Sequence, residues 1–162
     1  MPEKPTPEEI AIWQKRLASQ ANNRAWALAD QFARTADEDD EMLQGAHAAL
    51  FLWNIIGSDG NKAHAAQLVA HVYGLLKSPT QAKQYLGKSQ PFFLERECAP
   101  WELAFAHAVA ANVSAASGEH ESHLSHYQKA KEIIAALVDP EDRTILLKTM
   151  AVIPTPFSSG VA

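Results

Sequence analysis

Apolar residues recur along this chain at intervals of three and four, the spacing of one face of an α-helix. Ile10, Trp13 and Leu17 form the first such stripe, and the segment 42–56 carries a stronger one. No stretch alternates apolar and polar residues with the period of two that indicates a β-strand. The pattern therefore predicts an all-α protein of about seven helices without a sheet.

Prolines and short polar residues mark where several of these helices begin. A capping residue followed by proline is typical of a helix start, and this pair occurs at Thr6-Pro7, Ser78-Pro79 and Asp139-Pro140. Asn22-Asn23 predicts an interruption of the first helix, and Pro91 predicts a kink or an end in a later one. We expect a single helical domain over residues 7–153, with flexible tails at 1–6 and 154–162.

The acidic run at residues 37–41 has two interpretations, a cation site or a helix start. An EF-hand loop needs alternating ligands, a central glycine and a distant glutamate, and the run lacks them. Carboxylates in the first turn of a helix are favoured by the helix dipole. We therefore predict a helix start here, with Asp37 or Asp39 as the cap.

Small and aromatic residues repeat between residues 63 and 135. The positions that carry the repeat are Ala66, Val69, Ala70, Tyr73, Ala82, Leu86, His107, Ala110, Ala111, Ser114, Gly118, His123, Tyr127 and Ala130. This spacing resembles the tetratricopeptide pattern of helical hairpins. The resemblance implies a right-handed stack of antiparallel helical hairpins, a tetratricopeptide-like α-α superhelix. A plain helical bundle is the alternative.

Two further strings are similar to a family of small, uncharacterised bacterial helical proteins. They are Trp101-Glu102 with residues 104–108, and residues 139–143. The resemblance implies a bacterial source and the helical fold, and it implies no activity.

Composition and charge argue against two classes of partner, nucleic acids and membranes. A net charge of −5 without a Lys/Arg cluster argues against nucleic acid. No run reaches the roughly 20 apolar residues that a membrane-spanning helix needs, and residues 1–9 lack the apolar core of a secretory signal. The single cysteine, Cys98, fits a reducing compartment. We expect a cytoplasmic protein that binds neither nucleic acid nor membranes.

Motifs for catalysis are missing from the sequence. It has no nucleophile elbow, no glycine-rich phosphate loop and no zinc-protease motif. His120, His123 and His126 are three apart, so they drift around a helix and do not converge on one metal. We expect His123 to pack at a helix contact and donate a hydrogen bond, with His120 and His126 facing water. No catalytic residue, cofactor or metal is predicted.

A binding groove follows from the hairpin resemblance. In such a stack the first helices of the hairpins line a concave surface, and its side chains here would suit an extended peptide. The predicted groove residues are Arg24, Gln31, His64, Gln67, His71, Phe105 and Asn112. The first functional hypothesis is a non-enzymatic interaction module that binds a peptide, a partner subunit or a second copy of itself. The alternative is a small-ligand or metal-binding protein that uses the groove histidines.

The four tryptophans also allow two interpretations. Trp13, Trp26, Trp53 and Trp101 occur at stripe positions, one to a segment. Such residues are usually core anchors, and that is the prediction made here. An aromatic pocket for a ligand is the alternative.

Overall fold

A computed structural model describes residues 4–157, and these fold entirely into helices and connecting turns, with no strand. The helices are α1 (Pro7–Ala29), α2 (Ala36–Ile56), α3 (Asp59–Leu75), α4 (Pro79–Leu94), α5 (Pro100–Ala116), α6 (His120–Ala136) and α7 (Pro140–Val152). The prediction of an all-α protein of about seven helices is confirmed. None of the helices in this described range is long and apolar enough to cross a membrane.

Local capping sets the helix starts. The Thr6 hydroxyl accepts a hydrogen bond from the Glu9 backbone N–H, and the Glu9 carboxylate accepts one from the Thr6 N–H. Thr35 and Glu38 repeat this reciprocal pair at α2. The cap of α2 is therefore Thr35, and the prediction of Asp37 or Asp39 is wrong. Those acids lie in the first turn, where the helix dipole favours them.

Two predicted interruptions do not occur. Helix α1 continues through Asn22-Asn23, and α4 continues past Pro91 to Leu94. Asparagine is only a mildly unfavourable helix residue, and packing along α2 outweighs that preference. Pro91 lies in the last turn of α4, where a missing N–H disturbs little of the helix.

The helices pack as three hairpins, α1 with α2, α3 with α4 and α5 with α6, followed by the single helix α7. Helices α1, α3, α5 and α7 also contact one another in that order. Lys77 (φ 56°) and Gly118 (φ 70°) take left-handed conformations in the turns that close the second and third hairpins. The arrangement is consistent with the hairpin stack that the repeat predicts. Its handedness and the tetratricopeptide relationship remain predictions.

The core is built largely from small side chains, which allow the helices to approach closely. Ala104, Ala108 and Ala111 of α5 pack with Leu146 and Met150 of α7 in one buried cluster. A second cluster joins α1, α2 and α3. Helices α3 and α5 are the most deeply buried because each has neighbours on several sides.

The predicted flexible tails are described only in part. Thr6 belongs to the capping pair of α1. At the other end the Pro154 carbonyl accepts a hydrogen bond from His123 Nε2 at 2.7 Å. Pro156 and Phe157 line a cavity on α6. Pro154 and Pro156 thus lie next to α6, whereas Phe157 is 91% exposed, and the flexibility of this segment stays a prediction. Residues 1–3 and 158–162 lie outside the described range.

Candidate functional site

An inner face forms where α1, α3, α5 and α7 lie side by side, and aromatic and polar side chains fill much of it. Trp26 of α1 stacks on His71 of α3 with ring centroids 5.4 Å apart. The edge of Phe105 of α5 meets Trp26 at the same centroid distance. The Asn112 side-chain amide donates to the His71 carbonyl oxygen at 2.9 Å and lies 3.1 Å from His71 Nδ1. These contacts join three hairpins through one set of side chains.

Three predicted groove residues are sealed in the interior. Gln67, His71 and Asn112 are at most 2% exposed, so the prediction that they line an open groove is wrong. Packing of α1 and α5 over α3 covers them, which a single-helix pattern does not reveal. Burial lowers the pKa of His71 to about 3. The His71 ring is therefore neutral, with Nδ1 as acceptor for the Asn112 amide.

The remaining predicted residues have separate surroundings. Arg24 is exposed and pairs with Glu41 of α2 through two hydrogen bonds of 2.6 and 2.8 Å. His64 is partly exposed, lies 2.8 Å from the Glu102 carboxylate and stacks on Trp101. Each of these two side chains is thus paired with a carboxylate of the same chain. Gln31 borders a cavity at the C-terminal ends of α1, α3 and α5.

Phe105 alone of the predicted set lines an open apolar pocket at the inner face. This α1–α5–α7 pocket has a volume of about 330 Å³. Its lining is Trp26, Asp30, Trp101, Phe105, Asp142, Ile145 and Thr149. Side chains leave this part of the inner face unfilled, and we take the pocket as the candidate site.

Three of the seven residues that line the pocket are aromatic. Trp26, Trp101 and Phe105 are all partly exposed, and the Phe105 ring meets Trp101 at 90° and Trp26 at 62°. Trp26 and Trp101 also pack against buried clusters. Each is therefore both a core residue and part of an aromatic pocket, the two interpretations that the sequence allowed. Trp13 is 59% exposed, and its prediction as a core anchor is wrong.

Asp30 is a half-buried carboxylate of the pocket, and its surroundings change its pKa. Burial raises the pKa of its carboxyl group, while the Thr149 hydrogen bond and the charge of Lys148 oppose that effect. The bond from Thr149 Oγ1 to Asp30 Oδ1 is long, at 3.4 Å. Asp30 also caps the C-terminal end of α1, where the helix dipole disfavours a negative charge. The fold thus holds a half-buried carboxylate at an unfavourable place.

The second carboxylate of the pocket is Asp142, in the first turn of α7. Here the helix dipole favours a negative charge, so a structural reason accounts for this residue. The lining contains no lysine, arginine or histidine. The site therefore combines an aromatic and aliphatic surface with two acidic groups.

A larger cavity of about 460 Å³ lies at the other end of the inner face. It is bordered by Gln31, Asn112, Arg34 and Lys77 and by small residues of α5 and α7. Arg34 is already bound, since Nε lies 2.6 Å from Asp39 and Nη1 donates to the Gln31 carbonyl at 3.0 Å. This cavity presents few side chains that would orient a ligand.

The histidines do not form a metal site in the part of the chain that the structure describes. Between residues 4 and 157, no three His, Cys, Asp or Glu side chains come close enough to hold one ion. His107 and His126 form a pair, with Nδ1 atoms 2.9 Å apart. His126 thus contacts α5, and its predicted orientation toward water alone is wrong. The predicted packing and hydrogen bond of His123 are confirmed.

Comparisons of the chain with protein-family models, with curated proteins and with solved structures gave no match.

Four of the pocket residues were not predicted as site residues from the sequence. Asp30, Asp142, Ile145 and Thr149 belong to the end of α1 and to α7, which meet although Asp30 and Thr149 are 119 positions apart. Asp142 lies in the first turn of α7, where the helix dipole favours an acidic residue, so its sequence position does not indicate a binding role. The available signal was the set of four tryptophans, for which an aromatic pocket was the alternative interpretation, and two of them, Trp26 and Trp101, line the pocket.

Proposed function

We propose that this protein is a non-enzymatic interaction module that binds a segment of a partner protein in the α1–α5–α7 pocket. The observation that carries the proposal is the partly exposed aromatic wall of Trp26, Trp101 and Phe105 beside the 44% exposed Ile145. Tryptophan and other large apolar side chains in a pocket are typical anchor sites of protein interfaces.

The size of the pocket favours a segment over a large cofactor. Ligand pockets commonly measure about 300–1,000 Å³, and a volume of about 330 Å³ is at the small end of that range. A pocket of this size accommodates one or two side chains of an extended or helical peptide. The rest of such a segment would lie along the neighbouring helix surfaces.

In this proposal the pocket takes the place of the concave groove that the sequence predicts. Gln67, His71 and Asn112 are buried in the interior, and Phe105 lines the pocket. The histidine-based alternative has less support, because His64 is engaged with Glu102 and His71 is buried.

The test is a selection of peptides from a random display library on the wild-type chain. Enriched peptides would then be synthesised and titrated by calorimetry. Ile145→Arg places a long charged side chain in the pocket, and we expect it to weaken binding at least about tenfold. Leu147→Arg is the matched control, since Leu147 is 53% exposed on the same helix but outside the pocket. Peptides that bind Ile145→Arg as tightly as wild type, or a failure to enrich any peptide, would contradict the proposal.

A further inference from the structure

The acidic groups of the α1–α5–α7 pocket point to a particular kind of ligand group. Asp30 and Asp142 face a lining that is otherwise mostly apolar. Neither carboxylate lies within 4.0 Å of a lysine, arginine or histidine nitrogen among residues 4–157. Their negative charge is therefore available to a ligand.

No ion-pair partner in the described part of the chain accounts for the charge of Asp30. Its side chain has one hydrogen bond in the described part of the chain, the long contact with Thr149. Its surroundings disfavour ionisation through burial and through the end of the α1 dipole. The long Thr149 bond and the charge of Lys148 offset this effect only in part, since the pKa stays raised. A half-buried charge without an ion-pair partner costs stability, and a cationic ligand group would offset that cost.

The aromatic wall favours the same ligand. A cation is attracted to the face of an aromatic ring when it lies within about 6 Å of the centroid. The aliphatic stem of a lysine or arginine side chain also packs well on apolar surface. Trp26, Trp101, Phe105 and Ile145 offer both kinds of surface next to the carboxylates. The chain's net charge of −5 adds a general attraction for basic partners.

We infer that the α1–α5–α7 pocket binds a lysine or arginine side chain of a partner segment, with Asp30 as the main ionic contact and the aromatic rings around the stem. This inference rests on the proposed function. It adds the chemical class of the bound residue, which the pocket's shape alone does not specify.

The experiment uses the tryptophans as reporters in a two-dimensional nuclear magnetic resonance titration. Its probes are the peptide acetyl-Gly-Gly-Lys-Gly-Gly-amide and the same peptide with arginine or norleucine in the central position. Norleucine keeps an aliphatic chain and lacks the charge. We expect the lysine or arginine peptide to shift the indole N–H signals of Trp26 and Trp101, while Trp13 and Trp53, which do not line the pocket, stay in place.

Two variants test the role of the charge. Asp30→Asn keeps the shape of the side chain, and we expect it to weaken binding of the basic peptide about tenfold or more, as for a charged hydrogen bond. Glu141→Gln is the control, because Glu141 is exposed in the first turn of α7 and outside the pocket. The melting temperature of Asp30→Asn should equal or exceed that of wild type. A lower melting temperature would overturn the inference, because it would give the carboxylate a structural role.

The remaining outcomes separate this inference from the proposed function. If norleucine shifts the pocket signals as strongly as lysine, the pocket binds segments but the charge preference is wrong. If n-butylammonium binds as tightly as the lysine peptide, the ligand is a small amine and the assignment to a partner segment is wrong. If none of the peptides shifts Trp26 or Trp101, and display also fails, both proposals are wrong.

Discussion

At the scale of single residues, burial determines which side chains are available for binding. His71, Gln67 and Asn112 have the polar character expected of a binding surface, and all three are interior. The Gln67 side-chain oxygen and His71 Nε2 have no hydrogen-bond partner among the described residues. Such groups cost stability, so the inner face combines a tight aromatic stack with unsatisfied polar atoms.

The buried ring of His71 should make stability depend on pH. Burial lowers its pKa from 6.5 to about 3. Between these pH values the unfolded chain binds more protons than the folded one, so the free energy of unfolding should fall as the pH is lowered from about 6.5. The slope from this one group is at most about 1.4 kcal/mol per pH unit.

Urea unfolding measured at several pH values between 4 and 7 would check this. His71→Gln should lower stability at pH 7 through the lost stack on Trp26, and it should flatten the acid-side slope relative to wild type. An equal slope in the variant and the wild type would show that other groups carry the pH dependence. His107, whose pKa burial lowers to about 4, would be the next candidate.

At the scale of helices, the helix pairs depend on small residues at their closest contacts. Gly74 of α3 faces Asn112 of α5 so closely that an added Cβ would lie 2.6 Å from the Asn112 amide nitrogen. That amide is fixed by its contacts with His71. The α3–α5 contact therefore has no room for a larger residue at this position.

Gly74→Ala should destabilise the protein in spite of the better helix propensity of alanine. Propensity favours alanine by about 1 kcal/mol, whereas overpacking costs about 1–3 kcal/mol and also displaces a buried hydrogen-bonding group. Gly87→Ala is the matched control, since Gly87 is exposed in α4 and an added Cβ meets no atom within 4 Å. Chemical denaturation should show a loss for Gly74→Ala and a gain of about 0.5–1 kcal/mol for Gly87→Ala. A gain in both would contradict the close approach.

In helix α1 the apolar stripe does not predict which residues are buried. Ile10, Trp13 and Leu17 form a regular stripe, yet each is at least 43% exposed. The buried residues that α1 contributes to the core cluster with α3 are Ala25, Leu28 and Ala29, all in its C-terminal part. The stripe predicts the helix correctly, but it does not specify which part of the helix has a neighbour.

At the scale of the whole molecule, α7 closes the inner face. Its Leu146 is fully buried in the cluster with α5, and Thr149 contacts Asp30 at the end of α1. The same helix supplies Asp142 and Ile145 to the pocket. The candidate site therefore depends on the docking of α7.

Leu146→Ala should loosen this docking. Removing a fully buried leucine side chain typically costs about 2–5 kcal/mol, and we expect a loss in that range by urea unfolding. Hydrogen exchange should become faster in α7 and at the C-terminal end of α1. Leu147→Ala, at the neighbouring exposed position, should change stability by no more than about 0.5 kcal/mol. Equal effects of the two variants would mean that α7 is not anchored through Leu146.

The sequence by itself determined the helices and most of their starts, because caps and stripes act between residues three or four positions apart. Such local signals predict the caps Thr6 and Asp139 and the turn at Gly118. The pocket was decided only by the tertiary structure. Asp30 and Thr149 meet across 119 positions after three hairpins have packed. The same packing buried His71 and left Phe105 open, because exposure depends on all neighbouring helices at once.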